Sequence, residues 1–186
     1  MTKRSNTLTN ISPTKILRMA VLSALLMAGP LIAVGQSAPG QESLLVLQVR
    51  EATMRFIDVN NAGKAGYAPV FGCVSGQDHG AMGIHYVNGT LVGDGQIDVF
   101  HPEALIYEPE GNARRLVGVE YIVDAATWLA AHDNNPPVLD GQDFQLVPSP
   151  NRFNLPTFFE LHVWAWRNNP NGAFVDWNNN VTCEGE

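Results

Sequence analysis

Between Pro69 and Trp166 the chain is built from apolar runs of four to nine residues, cut apart by Gly, Pro, Asn and Asp. That punctuation leaves no room for long helices and calls for short strands joined by tight turns. The runs that read as strands are Met82–Val87, Ala104–Glu108, Leu116–Val123, Phe144–Val147 and Phe158–Trp166. Asn88-Gly89 and Glu110-Gly111-Asn112 read as reversals, the second closing a hairpin between Ala104–Glu108 and Leu116–Val123. Consecutive short strands linked this way pair antiparallel.

Two segments break the pattern. From Ser43 to Ala65, Leu45, Val49, Ala52, Phe56 and Val59 recur at alternating spacings of four and three, which is one face of a helix. Arg50, Glu51, Arg55 and Asp58 fall largely on the other side, Ser43 can cap the start, and Gly63 or Gly66 can end it before Pro69. Asp124–His132 reads as a short helix with an acidic start, stopped by Asn134 and the Pro136-Pro137 pair. Residues 167–186, rich in Asn, form an irregular tail. The expected fold is α+β: an N-terminal amphipathic helix packed on a curved, mainly antiparallel sheet or partial barrel, in a single domain.

The start of the chain has a different composition. Its 11 Lys+Arg stand against 18 Asp+Glu, yet the first 35 residues hold four of the basic residues and none of the acids. Basic residues are followed by the uncharged run Met19–Val34, too short for a spanning helix of roughly 20 residues and interrupted by Pro30. With small residues at Ala33, Gly35 and Ala38, this reads as a secretory signal peptide over residues 1–38. An uncleaved anchor is the bland alternative. The single domain, 39–186, is then expected in a periplasm or secreted, with no membrane insertion after signal removal. Beyond residue 35 seven basic side chains face 18 acidic ones, a net charge of -11, so the domain has no electrostatic footprint for nucleic acid.

The two cysteines, Cys73 and Cys183, both follow the signal. In an oxidising compartment an isolated pair is expected to form a disulfide, here pinning the tail. The competing reading makes Cys73 a nucleophile or thiolate ligand beside His79 and His85.

The strands hold polar residues where apolar ones belong. Leu116–Val123 is apolar on both faces except for Glu120, and in Phe158–Trp166 the side chains of Glu160 and His162 share a face with Phe158, Trp164 and Trp166. His85 and Glu108 interrupt two further strands. An ionised carboxylate in such a place must be paired, hydrogen-bonded or metal-bound, since burying it alone is expensive. Two imidazoles and two or three carboxylates from separate strands suit a divalent transition metal, Zn, Mn, Fe or Cu. His85, His162 and Glu108 are the candidate ligands, and Glu120 and Glu160 the candidate catalytic carboxylates, either of which can also serve as a ligand. The bland alternative is a buried Glu/His hydrogen-bond network, because no H-x-H or H-E-x-x-H spacing marks a metal site. Trp164, Trp166 and Tyr86, with Trp128 and Trp177, are candidates for stacking on a small-molecule ligand, or plain core.

Weaker signals lie in loops. Asp94-Gly95-Gln96-Ile97-Asp98 matches the middle of a calcium loop, but three ligand positions fail and an acidic turn reads better. Gly72–Gly76 lacks both the following helix of a phosphate cradle and a G-x-S-x-G elbow.

Taken together, GAMGIHYVNG (80–89), PEALIYEP (102–109), RLVGVEYIV (115–123) and ELHVWAW (160–166), with FVDWNNNVTC (174–183), resemble a family of small exported bacterial proteins over roughly residues 52–184. The resemblance implies a secreted domain with two cysteines; it brings no activity, substrate or cofactor. The reading that follows is an exported protein with a His/Glu divalent-metal site in a sheet, acting on a small molecule by metal-assisted hydrolysis or oxidation. Its rivals are a non-catalytic small-ligand module and a structural envelope protein.

Overall fold

The expected helix forms in pieces. A computed structural model describes residues 42–186; the expected signal, 1–38, lies outside them. Helix α1 (Leu44–Thr53) runs into a 3-10 turn (Met54–Ile57), and α2 (Val59–Lys64) restarts after Asp58. The break has a local cause: Asp58 takes an extended backbone and its carboxylate accepts from the Asn60 amide at 3.0 Å, capping a new helix. The apolar face is the expected one, with Leu45, Val49 and Phe56 buried.

Six strands form one antiparallel sheet curled into a half-barrel. They are β1 (Ala68–Gly76), β2 (Gly80–Val87), β3 (Ala104–Glu110), β4 (Ala113–Asp124), β7 (Gln145–Val147) and β8 (Phe158–Val163), in the order β1-β2-β3-β4-β8-β7. Strands β5 (Val138–Leu139) and β6 (Gln142–Asp143) make a separate small hairpin. The β3–β4 hairpin turns at Gly111, with φ 58°, as the Glu110-Gly111-Asn112 reversal requires.

Three expectations need correction. Strand β1 lies where Pro69 and several glycines argued for loop. As an edge strand it tolerates a proline, and register shifts between Val70 and Val74 and between Val74 and Ser75 absorb the irregularity. The Asn88-Gly89 reversal is instead a short helix, α3 (Gly89–Val92), whose cap Asn88 accepts from the Thr90 amide at 3.1 Å. The strand expected to reach Trp166 ends at Val163, because the Trp166 and Arg167 amides both turn to the Val117 carbonyl, at 3.1 Å each. Helix α4 (Ala125–Ala131) is as expected, with Asp124 accepting from the Thr127 amide at 2.8 Å.

Strand alternation divides the sheet. Leu105, Tyr107, Val119, Tyr121, Phe159, Leu161 and Val163 pack under α1 and the 3-10 turn as the main core. Buried tyrosines satisfy their hydroxyls on the backbone of that layer: Tyr107 donates to the Phe56 carbonyl and Tyr121 to the Val99 carbonyl, each at 2.7 Å. The alternating residues, His85, Ala104, Ile106, Glu108, Gly118, Glu120, Glu160 and His162, occupy the opposite face. Gly118 there is fixed by a close approach, since a Cβ would stand 2.8 Å from the Val163 carbonyl oxygen.

The tail crosses this second face. Cys73 and Cys183 form the expected disulfide, with Cα atoms 5.6 Å apart. Ala81 and Asn178 exchange backbone hydrogen bonds of 3.2 and 3.1 Å. Among the described residues no helix is long and apolar enough to cross a membrane.

Candidate metal centre

Register brings together residues far apart in sequence. Glu120 on β4 pairs directly with His162 on β8, and Glu160 lies two residues further along β8, opposite Ile122. On the other side Glu120 pairs with Ala104, which pairs in turn with Val87 on β2. Strand β3 therefore interposes only a methyl group between Glu120 and β2. The His85 imidazole reaches across that gap, and its Nε2 stands 3.3 Å from Glu120 Oε2. The His85 and His162 rings lie perpendicular, with centroids 6.0 Å apart.

His85, Glu120 and His162 each offer one ligand atom, all within 4.8 Å of one another. The 3.3 Å separation matches the roughly 3.4 Å edge of a tetrahedron with ligand bonds of about 2.1 Å. A second set, Glu160, His162 and Asp176, meets the same distance and shares His162. Asp176 Oδ1 stands 3.8 Å from His162 Nδ1, while Gln145 Nε2 donates to Asp176 Oδ2 at 2.8 Å.

The site's polar groups are poorly satisfied. His85 is 6% exposed and His162 2%, and neither nitrogen of His162 has a hydrogen-bond partner among the described residues. A buried polar atom left this way costs about 1–3 kcal/mol. Burial pushes both imidazoles down to about 3, His162 adding to the effect at His85 and a Gly83 backbone hydrogen bond opposing it, so both are neutral at ordinary pH. Burial, then the neighbouring Glu160, raises Glu120 well above the carboxylate range. Burial raises Glu160 to about 7, against a hydrogen bond from Glu120 that lowers it. The two carboxyl groups stand close enough that ionising one makes ionising the other costlier. Burial raises Asp176 as well. No positive charge therefore balances the carboxyl groups of Glu120, Glu160 and Asp176 at this place.

Glu108, expected among the ligands, lies elsewhere. Its Oε1 accepts from the Thr182 amide at 2.9 Å and Arg115 Nη1 stands 3.9 Å from its Oε2, so it holds the tail beside the disulfide. Nor do the expected stacking residues line the cavity over the site. Trp164 donates from Nε1 to the Val175 carbonyl at 2.5 Å, Trp166 donates to Thr53 Oγ1 at 3.0 Å, and Tyr86 packs edge-on against Tyr107 at 4.8 Å. The acidic turn is the better account of Asp94–Asp98: both aspartates accept from amides two residues on, Asp94 from Gln96 and Asp98 from Phe100. Asp176 escaped the sequence reading because it sits in the irregular tail, where no period reveals which way a side chain faces.

No family model, curated protein or solved structure matches this chain.

Proposed function

We propose that this protein is an exported metal-binding protein that holds a divalent transition metal on His85, His162 and Glu120. The observation that supports the reading is the convergence of one ligand atom each from buried His85, Glu120 and His162 to within 4.8 Å of one another, with burial raising the Glu120 carboxyl. A cation takes one nitrogen from each imidazole and displaces the proton that Glu120 holds. Two imidazoles and one carboxylate suit Zn, Mn, Fe or Cu and leave positions open. Asp176 Oδ1, 3.8 Å from His162 Nδ1, is the outer carboxylate that on closing to hydrogen-bond range would select the tautomer with Nε2 free to bind.

Such a metal activates water or oxygen, which favours hydrolysis or oxidation of a small molecule. Glu160 is the residue placed for general-base work: it touches Glu120, lines the cavity, and titrates near neutrality. A periplasmic or secreted location agrees with the disulfide, with the basic and apolar start of the chain, and with the resemblance to exported proteins.

Elemental analysis of protein isolated without chelator or His-tag tests this, beside the His85→Ala/His162→Ala double variant. Near-stoichiometric Zn, Mn, Fe or Cu, lost in a variant that still folds, is the expected result. A wild type that stays empty after reloading with each metal refutes the assignment.

A further inference from the structure

The floor of the candidate centre opens into a cavity of about 280 Å³. Its walls come from Val70 and Phe71 on β1, Met82 and Val87 on β2, Val92 on α3, and the Phe153–Phe158 segment. Its only polar side chains are His85, Glu120 and Glu160, all on the floor, and no Lys or Arg lines it among the described residues. For scale, an apolar cavity of about 150 Å³ takes one benzene, so this one fits about two fused rings.

The mouth carries a second, independent observation. Phe71 has φ 61°, a left-handed conformation that costs a bulky side chain about 1–2 kcal/mol. It falls in the stretch of β1 where the register shifts between Val70 and Val74. The result is that its ring stands 5.3 Å from Phe153, although Phe71 itself is 47% exposed. Burial does not reward that strain. An aromatic pair held at the edge of an apolar cavity does, once something apolar lies beneath it.

We infer that the cavity binds an uncharged aromatic or alicyclic molecule of about two rings bearing one hydroxyl, whose polar end meets the His85/Glu120/Glu160 floor while Phe71 and Phe153 close over its body. The inference rests on the metal reading and narrows it to a ligand class. Apolar walls leave the body of the ligand no charge and no hydrogen-bonding group to satisfy. With Glu120 and Glu160 ionised a divalent metal leaves the floor neutral, so a carboxylate head adds a negative charge that no Lys or Arg balances, and an ammonium head has no lone pair to offer the metal. A hydroxyl fits both demands, offering a lone pair to the metal and a hydrogen bond to Glu160.

The test uses the full mature protein, metal-loaded and metal-free, titrated with 2-naphthol, naphthalene and 2-naphthoate, with metal content measured on the same samples. The expected result is 2-naphthol binding about tenfold or more tighter than either analogue, the worth of one good hydrogen bond. Val92→Trp, which fills the cavity, should weaken that binding about tenfold without lowering metal content. Phe71→Gly should weaken it while Tm stays the same or rises, because glycine adopts the positive φ freely. Metal bound with equal affinity for the three probes overturns the ligand class and leaves the metal reading intact. A lowered Tm in Phe71→Gly with unchanged 2-naphthol affinity overturns the role of the mouth. A protein that takes no metal yet still prefers 2-naphthol removes the metal reading and supports the ligand class on the carboxyl pair alone; one that takes no metal and shows no preference overturns both.

Discussion

Of the three proposed ligands, only Glu120 holds a proton that a metal must displace. Glu120 is raised well above its ordinary range by burial and by Glu160, whereas His85 and His162 are held down to about 3. At pH 7 the histidines therefore have no proton to give, and metal must displace the one on Glu120. Titration calorimetry in buffers of different ionisation enthalpy should register about one proton released per metal bound, by linkage. Zero release would show Glu120 already ionised and sink this account of the site. Asp176→Asn keeps the shape but loses the charge that fixes the His162 tautomer. It should lower metal affinity about 10–100-fold, read by competition with a chelator, with little change in the Tm of the metal-free protein. His85, Glu120, Glu160 and His162 were legible in the sequence because each breaks the pattern of an apolar strand. Glu108 breaks it too, and alternation places it on the same face. Nothing in the pattern tells that the tail's Thr182 amide, and not a metal, takes up its carboxylate.

At the scale of elements, legibility follows period. Strands β3, β4 and β8 and helix α4 were readable because their hydrophobic pattern and caps are local. Strand β1 was not, since Pro69 and its glycines are compatible with an edge strand only once a neighbour, β2, supplies the pairing. The tail has no period at all, and its position is set by three long-range ties: the Cys73–Cys183 disulfide, the Ala81–Asn178 bridge, and Glu108 on the Thr182 amide. These ties make stability predictions. Replacing both cysteines by serine removes a loop closure across 110 residues and should cost about 4–5 kcal/mol on the chain-entropy account, measured by urea unfolding. Gly80 has φ 76°, and a Cβ on it would stand 2.1 Å from the Asn178 carbonyl oxygen. Gly80→Ala must therefore push the tail off β2. Faster hydrogen exchange at the Ala81 and Asn178 amides is the expected sign, and unchanged exchange there would mean that the bridge does not hold the tail.

For the molecule as a whole, the buried titratable groups pull stability in opposite directions with pH. The two histidines have folded values near 3 against about 6.5 unfolded, so the stability they confer is present above 6.5 and lost as pH falls through 3. Glu103 behaves in reverse. It is 1% exposed, its Oε2 accepts from the Ile122 amide at 3.0 Å, and burial raises it to about 8. Its folded state holds a proton that its unfolded state gives up near 4.5, so its contribution is full below 4.5 and lost as pH rises through 8. Glu160, raised to about 7, adds to the same loss. The metal-free protein should accordingly be most stable in mildly acidic solution, and metal should restore stability above neutrality by binding only the folded state. Glu103→Gln isolates one member of this set. Its amide oxygen can still accept from Ile122 but carries no charge to bury. Unfolding of the metal-free variant and wild type should give similar stabilities at pH 5, with the variant ahead by about 1–3 kcal/mol at pH 9. A difference that stays constant across this range would mean that Glu103 ionises without cost, and that the alkaline loss of stability belongs to the Glu120/Glu160 pair alone.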